Sequence, residues 1–172
     1  NYMKASAYIG GAKASESWLV SPAIDLSQAT TATLTFDHTH KFIGTPVENF
    51  ISLWFTETSA ENWQQLSIDK YGTNNDYTFV TSSVDLSAYA GKTIKFAFKY
   101  VSTTDAAGTW EIKNVKVVAN GEGGGTVDPE PGEGTNLLTN PGFEDWTSKL
   151  PTAWDNATYN TGEIVKETSI KH

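Results

Sequence analysis

Cysteine is absent from the 172 residues, and so is arginine: all 12 basic residues are lysine. Without cysteine there is no disulfide, no thiolate zinc site and no thiol nucleophile. Without arginine, and with 20 acidic residues giving a formal charge of −8, the chain lacks the forked donors and basic surface that grip phosphate, which argues against a nucleic-acid partner. No apolar run approaches the ~18 residues of a membrane-crossing helix, so membrane insertion is not expected. Gly-x-Ser-x-Gly, His-Glu-x-x-His, a phosphate loop and Gly-x-Gly-x-x-Gly are all missing. The chain does not begin with Met and shows no charged-then-apolar leader, which reads as a piece of a longer protein. What is present is enough to build a core: 38% hydrophobic residues, with 12% aromatic.

The charge is concentrated. Residues 1–120 hold nine Lys against eleven acids, and residues 136–172 hold three Lys against five, a net of −2 each. Between them, residues 121–135 carry four acids, six Gly, two Pro and no Lys. Gly gives flexibility, while Pro and like charges extend the chain, so residues 120–135 read as an acidic spacer. The expected organisation is a folded unit over 1–119, a linker over 120–135 and a further segment over 136–172.

The first segment reads as strands. Ile94, Phe96, Phe98 and Tyr100 alternate with Lys95, Ala97 and Lys99, as on a half-buried strand. Ala32/Leu34/Phe36 and Ile51/Leu53/Phe55 repeat the period of two. Ile112 is followed by Val115 and Val117, a shift of register that predicts a β-bulge. Pro22 beside Leu19, Val20 and Ile24 marks an edge strand or its end. Gly10-Gly11, Gly44-Thr-Pro46, Gly72 to Asp76, Ala90-Gly91 and Ala107-Gly108 supply turns. The best helical stretch is short, Glu61 to Leu66. Ala23-Ile-Asp-Leu-Ser27 recurs as Ser83-Val-Asp-Leu-Ser87, two equivalent strand ends. Short strands between turns predict an all-β, antiparallel sandwich.

The order Ser17-Trp-Leu-Val-Ser-Pro-Ala-Ile-Asp-Leu-Ser27, Trp63-Gln-Gln-Leu66, Val84 to Phe98 and Trp110-Glu-Ile-Lys-Asn-Val-Lys-Val117 resembles the choice-of-anchor J or cleaved-adhesin domains, which are common in Bacteroidetes surface proteins. The resemblance implies a jelly-roll sandwich over residues 1–119 whose first strand is missing, and a secreted or cell-surface location. Such domains often carry an Asp that helps hold calcium where this chain has Lys113, and an ammonium cannot ligate that ion. Asn136-Leu-Leu-Thr-Asn-Pro-Gly-Phe-Glu-Asp-Trp146 followed by Pro151-Thr-Ala-Trp154 resembles the opening of a galactose-binding-like carbohydrate-binding module. That resemblance implies an incomplete second jelly roll over 136–172. It also implies a structural calcium ligand at Glu144; no other cofactor is expected.

Candidate ligand-binding residues follow from sugar chemistry: a pyranose stacks its C–H face on an aromatic ring while polar neighbours bond its hydroxyls. Trp54 falls on the face opposite Ile51, Leu53 and Phe55. Tyr71 and Tyr77 flank Asn75 and Asp76 in a turn-rich loop. His38 and His40 point to one side of a strand, where they could line a cleft or begin a metal site, although the remaining histidine, His172, is distant in sequence. Trp18, Trp63 and Trp110 read as core. The acids Asp37, Glu48, Glu57, Glu61 and Asp76 stand near loops but in no recognisable catalytic setting.

The expectation is a non-catalytic carbohydrate-binding or adhesin-like module with a polysaccharide or glycan partner. The competing readings are a structural or protein-binding spacer, and an accessory domain of an extracellular hydrolase or nuclease. Alone, the tail would expose Leu137, Leu138, Phe143, Trp146 and Trp154. It is therefore expected to complement the first domain by strand addition, within the chain or swapped from a neighbour, with pairing around 137–146 and 159–166.

Overall fold

The computed structural model describes residues 1–60, 62–73, 75–121, 136–147, 150–160 and 163–167, with backbone alone for 147, 156–160 and 163–167. Most of the linker, together with Glu61, Asn74 and His172, lies outside the described residues. The strands are β1 (Tyr2–Ser6), β2 (Ser15–Val20), β3 (Ile24–Asp25), β4 (Thr31–Lys41), β5 (Ile51–Glu57), β6 (Gln64–Leu66), β7 (Val80–Asp85), β8 (Thr93–Ser102), β9 (Thr109–Asn120), β10 (Trp146–Thr147), β11 (Leu150–Pro151), β12 (Asp155–Asn160) and β13 (Glu163–Glu167). Residues 64–66 are thus a short strand, not the end of a helix. Pairing with β5 supplies backbone partners that one isolated helical turn would lack.

Every pairing is antiparallel, and two sheets stack as a β-sandwich. One runs β13-β1-β9-β4-β7 and the other β12-β2-β8-β5-β6, with β3 also on β8. Alternation decides what faces inward. Leu34 and Phe36 of β4, Ile51, Leu53 and Phe55 of β5, and Ile94, Phe96 and Phe98 of β8 are buried between the sheets. Phe36 meets Phe98 edge-on across the layers at 5.0 Å. Each such burial stabilises by roughly 1.5–3 kcal/mol. The register break is a bulge. Thr35 faces Lys116 while Asp37 faces Lys113, so β9 carries one residue more than β4. Asn114 absorbs it at φ 52°, and Trp110, Ile112, Val115 and Val117 all stay inside.

The recurring Ile/Val-Asp-Leu-Ser motif closes β3 and β7 in the same way. Asp25 and Asp85 accept the backbone N–H of Ser27 and Ser87 (2.9 and 2.8 Å), and Leu26 and Leu86 drop into the core.

The tail enters the same core. Asn136 accepts from the N–H groups of Val117 and Leu138 and donates to the Val115 carbonyl. Leu138, Phe143 and Trp154 are buried, with Trp154 5.8 Å from the Phe96 ring. β12 pairs β2, from Asp155–Val20 to Asn160–Ser15, and β13 pairs β1, from Glu163–Ser6 to Glu167–Tyr2. Residues 159–160 and 163–166 therefore join strands of the first 119 residues, within the chain. The stretch 137–146 behaves differently. Leu137 N–H reaches the Val117 carbonyl, but Trp146–Thr147 pairs only locally with Leu150–Pro151. Asn140, at φ 52°, bends the loop by accepting from Glu144 and Asp145 N–H, and so turns Phe143 inward instead of into a sheet.

Candidate functional site

Among the described residues, two groups of three aromatic side chains bear on the expected site residues. The first lies on the outer face of the β12-β2-β8-β5-β6 sheet. Trp54 points there from β5, as its alternation with Leu53 and Phe55 predicts. Trp18, expected in the core, is also there, because Ser15, Ser17 and Leu19 take the inward positions of β2. Trp63 joins them instead of entering the core. Trp18 stands 5.4 Å from Trp54 and 5.6 Å from Trp63, all three half-buried. Lys99 places its ammonium 5.0 Å from the Trp18 ring centre and 5.2 Å from that of Trp54, and ion-pairs with Glu16 at 3.2 Å. Trp18 Nε1–H donates to Glu16 Oε1 (2.8 Å) and Trp54 Nε1–H to Ser52 Oγ (2.9 Å). Partial burial pushes the Glu16 carboxyl up, but the bonds from Trp18 and Lys99 outweigh it and hold the pKa below its ordinary value. The rings are thus packed on one another and capped by a paired lysine. Trp110 is in the core as expected.

The second group stands at one end of the sandwich, where four loops meet. The end of β1 contributes Ser6, the β1–β2 connection Tyr8, the β4–β5 loop Phe42, the β6–β7 loop Tyr77, the β8–β9 loop Asp105, and the start of β9 Thr109. They surround a cleft of about 790 Å3, within the ~300–1,000 Å3 range of small-ligand sites. Phe42 and Tyr8 are the most exposed large hydrophobics described, at 68% and 69%.

Each wall is held by the backbone. Tyr8 sits on a tight loop whose Gly10 and Gly11 take positive φ, closed by Ile9 N–H to the Gly11 carbonyl at 3.0 Å. The Tyr100 hydroxyl accepts from Ala7 N–H (3.2 Å) and donates to the Gly108 carbonyl (2.8 Å), fastening one loop to another. Burial raises the pKa of that hydroxyl, so it keeps its proton to donate. Thr103 Oγ1 accepts the N–H groups of Asp105 and Ala106. Phe42 itself stands at φ 61°, a strained conformation for a bulky residue, costing on the order of 1–3 kcal/mol. Gly108 permits it: a Cβ there would lie 2.5 Å from the Lys41 carbonyl oxygen and the Phe42 carbonyl carbon. The Lys41 ammonium lies 5.0 Å from the Phe42 ring centre and 5.3 Å from that of Tyr77, bracing the two.

The expected ligand residues are therefore divided. Tyr77 lines the cleft. Asn75 and Asp76 are exposed on the same loop, where Asp76 accepts Thr78 N–H at 2.9 Å and fixes the turn. Tyr71, His38 and His40 form a polar group inside the sandwich. The Tyr71 ring meets His38 at 5.9 Å and His40 at 6.2 Å, and burial pushes its phenol up to about 12. His38 is wholly buried. Its Nδ1 accepts from Trp110 Nε1–H (3.2 Å), so Nε2 carries the proton and donates to the Lys70 carbonyl (2.9 Å), with Ser82 Oγ at 3.0 Å. Burial lowers its pKa to about 4 and also lowers that of His40, whose ring nitrogens have no partner. Both histidines are buried, His38 with its ring 5.1 Å from Phe36, away from any surface a ligand could reach.

Trp54 belongs to the capped outer face. Glu144 accepts from Asn1 Nδ2 at 2.5 Å, with its side chain 67% exposed, and no group of three potential metal ligands occurs among the described residues. Of the acids, Asp37 accepts from Thr81 and Asn114 (2.6 Å each) and Glu57 pairs with Lys92.

Sequence reasoning missed Tyr8, Phe42 and Asp105. A signal existed: Tyr8-Ile-Gly-Gly11 and Phe42-Ile-Gly44 both put a large aromatic and an Ile against a glycine turn, where polar residues are usual. Comparison with known protein families and with curated proteins finds no match.

Proposed function

We propose that the protein is a non-catalytic glycan-binding module of a secreted or cell-surface protein, with the loop-end cleft as its sugar site. The observation that carries this reading is Phe42, a bulky ring held exposed in a strained backbone conformation by a close-packed glycine. Strain that folding alone does not require is commonly retained for a ligand. Phe42, Tyr8 and Tyr77 offer faces for sugar C–H groups, and Ser6, Thr109 and Asp105 offer partners for hydroxyls. Each contact is weak, and repetition of modules along a chain strengthens them together. The motif resemblance to choice-of-anchor J domains, with jelly-roll connectivity, and to the opening of a carbohydrate-binding module supports the same reading.

The test is a screen of plant, host and microbial glycans with three proteins. Wild type and Trp54→Ala bind the same glycan, while Phe42→Ala weakens binding about tenfold, the value of a good aromatic contact. Wild-type protein that retains no polysaccharide, or Phe42→Ala protein that binds as wild type, overturns the reading.

A further inference from the structure

We infer that the cleft selects an uncharged glycan presenting adjacent hydroxyls, with Asp105 as the acceptor that reads them; this rests on the glycan reading above. Among the cleft-lining residues, Asp105 supplies the ionisable carboxylate. Its side chain is exposed and makes no hydrogen bond or ion pair among the described residues. Its backbone is nevertheless fixed. Thr103 N–H reaches the Ala106 carbonyl (2.8 Å), and Thr103 Oγ1 takes the Asp105 and Ala106 N–H groups (3.2 and 3.0 Å). A positioned carboxylate with both oxygens free accepts two neighbouring O–H groups at once.

Among the residues that line the cleft, Asp105 carries the formal charge. The Lys41 ammonium lies against the Phe42 and Tyr77 rings, and it acts electrostatically on Asp76. A ligand carboxylate or sulfate placed among these aromatics would face that charge in a partly desolvated setting, where like charges repel strongly. A hydroxyl would find an acceptor.

The experiment uses matched pairs of polysaccharides of the same linkage that differ in oxidation at C6: β-glucan with glucuronan, and β-mannan with mannuronan. Binding is measured at physiological ionic strength for wild type, Asp105→Asn and Phe42→Ala. Wild type retains a neutral member at least about tenfold more tightly than its acidic partner. Asp105→Asn weakens the neutral ligand about tenfold, because a charge-assisted bond becomes a neutral one and one acceptor becomes a donor. The same change narrows the preference against the acidic partner. Tighter binding of the acidic member, or an unchanged Asp105→Asn protein, overturns the inference; if Phe42→Ala still weakens binding about tenfold in that case, the glycan reading stands without it. Absence of binding to every one of these polymers overturns the inference, while Phe42→Ala protein binding as wild type overturns both.

Discussion

The outer face and the loop end each gather three large aromatic side chains and a lysine, yet they are built to opposite purposes. On the outer face, Trp18, Trp54 and Trp63 lean on one another. The indole N–H groups of Trp18 and Trp54 are satisfied by Glu16 and Ser52, and Lys99 is tied to Glu16 above the rings. The donors of Trp18, Trp54 and Lys99 there are already taken. At the loop end, Phe42 and Tyr8 stand on separate loops, each more than two-thirds exposed, and Asp105 has no partner for its charge. The comparison teaches that the number of aromatics does not mark a binding surface. What marks it is the interactions left open and the backbone used to keep them open.

Three measurements sharpen that contrast, the largest effect first. His38 anchors the segment behind the loop end by donating to the Lys70 carbonyl. Its folded pKa is about 4 against an ordinary 6.5, so below 6.5 the unfolded chain takes up a proton that the folded one refuses. Stability is fully present above that value and falls by about 3 kcal/mol as pH drops to about 4. Urea denaturation followed across this window records the loss, and His38→Gln flattens the slope. A wild-type curve level from 6.5 to 4 contradicts it. Asp25, Asp76 and Asp85, held below their usual 3.8 by turn hydrogen bonds, titrate beneath this window, whereas His40 and Glu16, also lowered, add losses of the same sign within it, so the share of His38 is the difference between wild type and His38→Gln.

Phe42→Gly comes next. Glycine accepts φ 61° without strain, so the variant gains about 1 kcal/mol in denaturation midpoint while losing the glycan. A variant less stable than wild type would show that Phe42 is packed and not merely presented. The smallest effect belongs to Lys99→Met. It removes a partly buried ion pair and two ring contacts, costs about 1 kcal/mol, and leaves glycan binding as in wild type. Lost binding in that variant would erase the distinction between the two faces.

The strands were legible where a single period governs. Ile94 to Tyr100 could hardly be anything but a half-buried strand, and the step from Ile112 to Val115 announced the bulge at Asn114. Trp54 was placed on its correct face for the same reason. Trp18 was not, because size was read in place of alternation. Ser17 and Leu19 point inward, and a period of two then sends Trp18 outward whatever its bulk. The loop end was legible only at Tyr77. Tyr8, Phe42 and Asp105 come from loops far apart in sequence, and loops carry no period. Their meeting depends on the Tyr100 hydroxyl and on the contact of Gly108 with Phe42, and neither leaves a local pattern. The paired histidines misled for a related reason: a period of two shows that two side chains share a face, not whether that face is wet.

The placement of β12 and β13 has a consequence for how the molecule comes into being. β1 finds β9 through Met3–Ile112 and β13 through Met3–Lys166, and β2 finds β12 through Val20–Asp155. At a synthesis rate of about 5–20 residues per second, roughly 5–20 s pass between the appearance of β1 and of its first partner. Strands β4 to β8 can begin pairing among themselves in that interval, but Leu138, Phe143 and Trp154 arrive last to fill the core. A fold so rich in distant pairings is slow even when released whole, in the milliseconds-to-seconds range of sandwiches. Of the strands described, β1 is made first and is among the last to be secured.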